Sequence, residues 1–207
     1  MIPGPTVFVV DDDQAVQNCV RRLVESIHLD VETFGSADEF LKACDPTRPG
    51  CIVLDVRMPG MSGLELQQRL IELGYTLPVI MLSGYGDVSV AVRAMKAGAV
   101  SFIEKPFNDH FLLDTIREAI RKDTQNRREQ ALAGEIQSRI ARLTPREREV
   151  MDLLVAGNVS KAVAAKLRLS EKTIEVHRAH VMKKLEAKTI ADLVRFSFLS
   201  GTTKGNS

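Results

Sequence analysis

Three aspartates in a row, Asp11, Asp12 and Asp13, follow the apolar run TVFVV, and a fourth, Asp55, closes the run CIVLD. An acid at the end of an uninterrupted apolar stretch stands at the lip of a buried strand, where open α/β sheets bind ligands. If the two strands are parallel neighbours, three or four carboxylates converge in one concavity. They repel one another and hold raised pKa values unless a hard cation neutralises them, and an all-oxygen donor set suits magnesium better than zinc. Ser83 directly after VIML and Lys105 after SFIE bring a hydroxyl and an ammonium to the same lip. Together with a cation they can hold the three non-bridging oxygens of a phosphoryl group, the charge stabilisation that in-line transfer onto a carboxylate needs. Asp55 is the nucleophile in that scheme. Two plainer readings stand beside it. Loop acids cap helix N-termini, which accounts for two of the three at 11–13 but not for Asp55 ending a buried strand. A magnesium-dependent phosphatase also uses a strand-end aspartate, although it normally needs a second aspartate two positions on, where this chain has Arg57. The sequence contains none of the phosphate-loop, dinucleotide, hydrolase-elbow or zinc-protease signatures.

The elements that would position these residues alternate. Strands are predicted at Thr6–Val10, Val31–Phe34, Cys51–Asp55, Pro78–Leu82 and Val100–Ile103, with helices between them. The first helix, Gln14 to His28, carries Val16, Val20, Leu23, Val24 and Ile27 at helical spacing, and Ser36 with Glu39 and Ser62 look like N-terminal caps of later ones. Such repeats imply right-handed crossovers and a parallel sheet covered on both faces, so the first half is a doubly wound (βα)5 unit.

The first 122 residues resemble the receiver domain of two-component response regulators. The resemblance rests on VVDDD at 9–13, LDVRMPGMSG at 54–63, MLSG at 81–84 and FIEKPF at 102–107, all at the family's spacing. It implies that Asp55 is the phosphoacceptor, that Asp11, Asp12, Asp55 and the backbone carbonyl of Arg57 hold Mg2+, for which Mn2+ can substitute, and that Ser83 and Lys105 contact the phosphoryl group. It also implies that Phe102 and Ser83 form the conformational switch, Phe102 lacking the hydroxyl that many relatives have, and that Lys105-Pro106 is cis.

Composition divides the chain. Residues 1–122 carry 12 Lys and Arg against 17 Asp and Glu, net −5, and residues 123–207 carry 16 against 10, net +6. An acidic half that handles metal and phosphate joined to a basic half that meets nucleic acid is the expectation. No apolar run is long enough to cross a bilayer and no cleavable leader is evident, so a soluble, cytoplasmic protein is expected. Cys19, Cys44 and Cys51 lack metal-site spacing and read as reduced packing residues. From 123 to 141 the pattern keeps few apolar positions, which fits a flexible linker or a mostly exposed helix; helix is favoured because no proline precedes Pro145 and Gly134 costs a helix only about 1 kcal/mol.

The span 142–200 reads as four helices, all-α and tetrahelical, before a disordered tail at 201–207. Thr144, Pro145 and Glu147 start the first helix; Lys161–Leu167 and Glu171–Leu185 are two helices joined by a tight turn, the second rich in cations, and a last helix runs from Thr189. A packing module with a solvated basic face would show the same pattern. The stretch LTPREREVMDLLVAGNVSKAVAAKLRLSEKTIEVHRAHVMKKL resembles the LuxR-type helix-turn-helix of NarL/FixJ response regulators, with Ser160 where many relatives carry asparagine. The resemblance implies Lys172, Thr173, Glu175, Val176 and Ala179 toward the major groove, and Arg178, His180, Lys183 and Lys184 toward phosphates. The whole would be a non-enzymatic transcription regulator. Its partners would be a sensor histidine kinase, promoter DNA and a second copy bound through the fourth helix, fifth strand and fifth helix.

Overall fold

The computed structural model describes residues 4–84 and 88–200, and the chain forms two compact units that divide after Arg127. The tail expected at 201–207 lies outside the described residues. In the first unit, β1 (Thr6–Val10), β2 (Asp30–Phe34), β3 (Gly50–Asp55), β4 (Val79–Ser83) and β5 (Ser101–Glu104) make one parallel sheet in the order β2-β1-β3-β4-β5. The apolar runs of β1, β3 and β4 are buried on both faces, as parallel strands between helical layers require.

Successive residues of a strand feed opposite layers. Phe8, Val10, Ile52, Leu54 and Met81 pack on Phe40 of α2 (Ala37–Ala43), Leu66 and Leu70 of α3 (Gly63–Glu72) and Ala94 of α4 (Val88–Lys96). Val7, Val9, Cys51, Val53, Ile80 and Leu82 pack on Val20 and Val24 of α1 (Gln14–Ser26) and on Leu112, Ile116 and Ala119 of α5 (Asp109–Ala141). The crossovers from β1 to β2 and from β2 back to β3 place β1's neighbours on opposite sides, so the crevice of the doubly wound sheet opens between β1 and β3. Register pairs Val10 with Leu54, which brings the next residue of each strand, Asp11 and Asp55, to that crevice.

Local capping follows the sequence reading with two differences. Ser62 and Glu65 close a full capping box on α3. Ser36 caps α2 through the Glu39 N–H, yet the Glu39 carboxylate accepts from the N–H of Gly35 at 2.7 Å, one residue short of the return bond of a box. The first helix stops before His28, whose left-handed φ of 59° turns the chain into β2.

The second unit packs α6 (Pro145–Val155), α7 (Ser160–Leu167), α8 (Glu171–Leu185) and α9 (Ile190–Leu199) around Val150, Met151, Leu154, Val163, Ile174, Val181, Leu185 and Leu193. Ile136 and Ile140, two of the sparse apolar positions in the ambiguous stretch, belong to this core, and α5 stays helical through Gly134 to Ala141. Among the described residues no helix is long and apolar enough to cross a membrane.

Gly63 begins α3 directly beneath the site. A Cβ there would stand 2.0 Å from the carbonyl oxygen of Asp55, a backbone atom that cannot swing aside. Gly63→Ala is expected to cost the first unit about 2 kcal/mol or more in urea denaturation. Gly134→Ala, whose Cβ would meet nothing within 4 Å, should be neutral or slightly stabilising.

Candidate functional site

Asp11 and Asp55 are 1% and 5% exposed, and a single ammonium joins them. Lys105 Nζ donates to Asp11 Oδ2 and to Asp55 Oδ1, each at 2.6 Å. The remaining oxygens face the backbone: Asp11 Oδ1 accepts the N–H of Asp13 at 2.9 Å, and Asp55 Oδ2 accepts that of Arg57 at 2.6 Å. Lys105 is held in turn by its own N–H, which donates to the carbonyl of Ser83 at 2.7 Å, and the Lys105-Pro106 peptide is cis. Ser83 closes β4 and is buried, while Phe102 lies half-buried on β5 against the core layer that contains α4. Sequence positions 11, 55, 83 and 105 thus meet at the C-terminal edge of the sheet.

The acids at 11–13 divide their labour. Asp13 is the N-cap of α1, its carboxylate accepting from Ala15, as the plainer reading of loop acids expects. Asp12 is exposed. Gln17, absent from the sequence reading, is buried at the site and donates to the carbonyl of Asp11 at 2.6 Å, and at 3.4 Å to that of Phe34, fixing the β1–α1 turn against the end of β2. Its signal was present: a polar residue at 17 falls on the stripe of Val20 and Val24 that faces the core.

Burial and pairing oppose each other at Asp11 and at Lys105. Burial raises the Asp11 pKa, and the hydrogen bonds from Lys105 and Asp13 only partly oppose it. For Lys105 burial works against the charge, but bonds to both Asp11 and Asp55 outweigh it and hold its pKa above the ordinary lysine value. One lysine receives two carboxylates, whereas each acid receives half a lysine. The donor set of two buried carboxylates, with Asp12 adjacent, retains a negative excess after Lys105 is counted, which fits a hard divalent cation. Among the described residues no three His, Cys, Asp or Glu side chains converge as a metal-holding group.

In the second unit α7 and α8 are joined by a turn in which Arg168 has a left-handed φ of 55°. Ser170 caps α8, its Oγ accepting the N–H of Thr173 at 3.1 Å and lying 2.7 Å from the Thr173 hydroxyl. Ile174, Val181 and Leu185 bury one face of α8. The other leaves Lys172, Glu175, Val176, Ala179, His180 and Lys183 exposed, with Arg178 3.6 Å from Glu175. Ser160, the departure noted above, opens α7 behind Val159, an N-cap without a side-chain bond.

Lys184 has an inward partner. Its Nζ lies 2.5 Å from Oε2 of the buried Glu147 and 3.3 Å from the carbonyl of Arg142. His180 Nδ1 stands 3.7 Å from Oε1 of the same carboxylate. Glu147 also completes the Thr144 capping box, and its pKa is lowered first by the Lys184 bond and then by Thr144. The sequence shows Glu147 as a cap residue; its second role in tying α8 to α6 needs the tertiary contact.

Residues 7–117 match the family described as response regulator receiver domain, and residues 141–197 match bacterial regulatory proteins of the luxR family. The chain belongs to the response regulators of the NarL/FixJ type. Nodulation protein W of Bradyrhizobium diazoefficiens is 43% identical over 201 residues, covering 97% of this chain and 88% of the relative. Transcriptional regulatory protein FixJ of the same organism is 42% identical, covering 94% and 95%. The solved structure of response regulator StyR is 40% identical with a TM-score of 0.84, covering 95% of this chain and 99% of that one. This response regulator is therefore a phosphorylation-dependent transcriptional regulator, with a signalling and DNA-binding role instead of an enzymatic one. Receiver domains of the family use Mg2+ at the phosphorylated aspartate.

Removing Lys105 would leave two buried carboxylates facing each other. Lys105→Met is expected to destabilise the first unit by roughly 3 kcal/mol, with Asp11→Asn in the same chain recovering part of the loss in urea denaturation. The pH dependence has a definite sign. Asp11 is raised above its ordinary 3.8, so its contribution to stability is present below that value and is lost as pH rises through the folded pKa; Asp11→Asn should flatten this fall. In the second unit Lys184→Ala should cost roughly 1–2 kcal/mol of stability, discounted for the partial exposure of that side chain. Lys183→Ala should leave the melting transition unchanged.

Proposed function

We propose that Asp55 accepts a phosphoryl group from the phosphohistidine of a sensor kinase, and that this promotes dimerisation and promoter binding. The observation that carries the proposal is the Lys105 ammonium 2.6 Å from both Asp11 and Asp55 at the crevice of the sheet. An Asp55 oxygen forms the new O–P bond as the N–P bond to the kinase histidine breaks, and the imidazole leaves with its electron pair. Asp11, Asp12, Asp55 and the carbonyl of Arg57 would hold Mg2+, or Mn2+ in its place, to neutralise the transferred charge. Lys105 and Ser83 would take the phosphoryl oxygens, and Ser83 and Phe102 would report occupancy toward α4 and β5.

The division of labour that follows is a receiver at 1–122 and a DNA-binding domain at 142–200 joined by the helical stretch 123–141, whose first turn, Asp123 to Arg127, packs with the receiver and whose Ile136 and Ile140 pack with the DNA-binding domain. Val88, Val92 and Met95 are exposed one turn apart on α4, and Phe111 is exposed on α5, which supports a dimer face of α4, β5 and α5. On α8, Lys172, Thr173, Glu175, Val176 and Ala179 would read base edges, Glu175 by accepting from a cytosine amino group. Arg178, His180 and Lys183 would neutralise phosphates, with Lys184, already held by Glu147, in a lesser role. Two linked domains on successive half-sites gain affinity through effective concentration without any new base contact.

Acetyl phosphate with Mg2+ is expected to label the wild type at an acid-labile bond; chelation and Asp55→Asn should each abolish it. Phosphorylated protein should then protect a dimer-length stretch of promoter more tightly than the unphosphorylated chain. In band shifts at two salt concentrations, Lys183→Ala should weaken specific and random DNA alike and flatten the salt dependence, whereas Val176→Ala should mainly lower the ratio between them. Equal labelling of Asp55→Asn, or no sequence-specific complex, would overturn the reading.

A further inference from the structure

Beyond the phosphoacceptor site, the first unit has another buried carboxylate, at the opposite edge of its sheet. Asp123 of α5 is 1% exposed. Its Oδ2 accepts the N–H of Gly50, the first residue of β3, at 3.0 Å and Arg127 Nε at 2.8 Å. The rest of the Arg127 guanidinium covers the loop between α2 and β3: Nη1 donates to the carbonyl of Thr47 at 2.9 Å, and Nη2 to that of Arg48 at 2.8 Å and of Pro46 at 3.5 Å. Asp123 Oδ1 is buried without a hydrogen-bond partner among the described residues. The charge of this carboxylate is thus balanced by one arginine, one turn further along the same helix face, and one backbone amide. Past Arg127 the burial ends. Residues 128–132 and 134–135 are exposed, and the next buried positions, Ile136 and Ile140, belong to the core of the second unit.

We propose that Asp123 and Arg127 form a clamp that makes α5 up to Arg127 an integral part of the receiver, ties it to the strand that bears Asp55, and leaves 128–135 as the stretch that yields when Asp55 is phosphorylated. β3 is held at both ends by buried ion pairs: Asp55 with Lys105 at its C-terminus, and Asp123 with Arg127 on its first amide. A change in the charge at Asp55 reaches α5 through that strand, and the clamp prevents the helix from absorbing it by fraying. The signalling half of this proposal rests on the phosphorylation-driven gain in DNA affinity proposed above; the clamp itself does not.

Hydrogen–deuterium exchange and DNA titration on the full chain test the two halves separately. In the wild type, residues 120–127 should exchange at least tenfold more slowly than 128–135. Arg127→Ala, which removes all four hydrogen bonds of the guanidinium, should accelerate exchange across 120–127 and around Gly50 at least about tenfold, the fold-change that one charge-assisted hydrogen bond alone would give. It should leave the labelling of Asp55 intact and cut the phosphorylation-driven gain in DNA affinity at least threefold. Arg127→Lys, able to serve one carbonyl but not three, should recover part of both. If Arg127→Ala does not fold, Arg127→Lys and Asp123→Asn supply the comparison. Unchanged protection of 120–127 in these variants overturns the clamp, and lost protection with an undiminished gain overturns its signalling role. A wild type with no gain on phosphorylation defeats the proposed function, while the exchange measurement still decides the clamp.

Discussion

Two carboxylates cannot remain ionised side by side inside a sheet without a cation between them, and the arrangement around Asp11 and Asp55 answers that constraint. Burial alone drives a carboxyl toward its neutral form. Lys105 offsets this by donating to both acids at 2.6 Å, and the backbone amides of Asp13 and Arg57 take the two remaining oxygens. The compensation is incomplete, since Asp11 keeps a raised pKa. A site in that condition retains negative charge, which favours a divalent cation.

The same solution recurs twice more, each time joining elements distant in the chain. Glu147 at the start of α6 is buried and held by Lys184 from the end of α8; Asp123 is buried and held by Arg127 over the loop that enters β3. Replacing a buried pair by apolar residues is often neutral or stabilising, so these pairs are weak evidence of added stability. They do specify position. Ridges of Val, Leu and Ile tolerate sliding and repacking, whereas a carboxylate that loses its single cation is left buried and charged. Glu147 thereby ties α8 to α6, and one acid serves as helix cap and interhelical tie together.

Coupling between the halves of a response regulator depends on what is stiff and what is not. α5 reads as one helix from Asp109 to Ala141, yet its support is uneven: Leu112, Ile116, Ala119 and Asp123 are buried in the first unit, Ile136 and Ile140 in the second, and residues 128–132 between them in neither. The charge division follows the same boundary, with the acidic excess on the side that handles phosphate and the basic excess on the side with α8.

Much of this was legible in the residues alone. Strand-end positions of Asp11, Asp55, Ser83 and Lys105 follow from apolar runs and their interruptions, because a buried parallel strand leaves only its ends free for polar chemistry; the capping residues Ser62 and Thr144 announce their helices by type and spacing. Pattern also bounded α8 at Glu171–Leu185, and the structure buries Ile174, Val181 and Leu185 on one face of it. What pattern could not assign was partnership. Gln17 reaching the carbonyls of Asp11 and Phe34, Lys184 drawn inward to Glu147, and Arg127 spread over three carbonyls at 46–48 are all contacts made by polar side chains that look solvent-facing in a linear reading. Local sequence determines which way a backbone turns and which face of an element is apolar, because those preferences act within a few residues. Which acid meets which base is decided by the folded chain, because a long charged side chain is satisfied equally by water until tertiary packing removes the water and leaves one partner in reach.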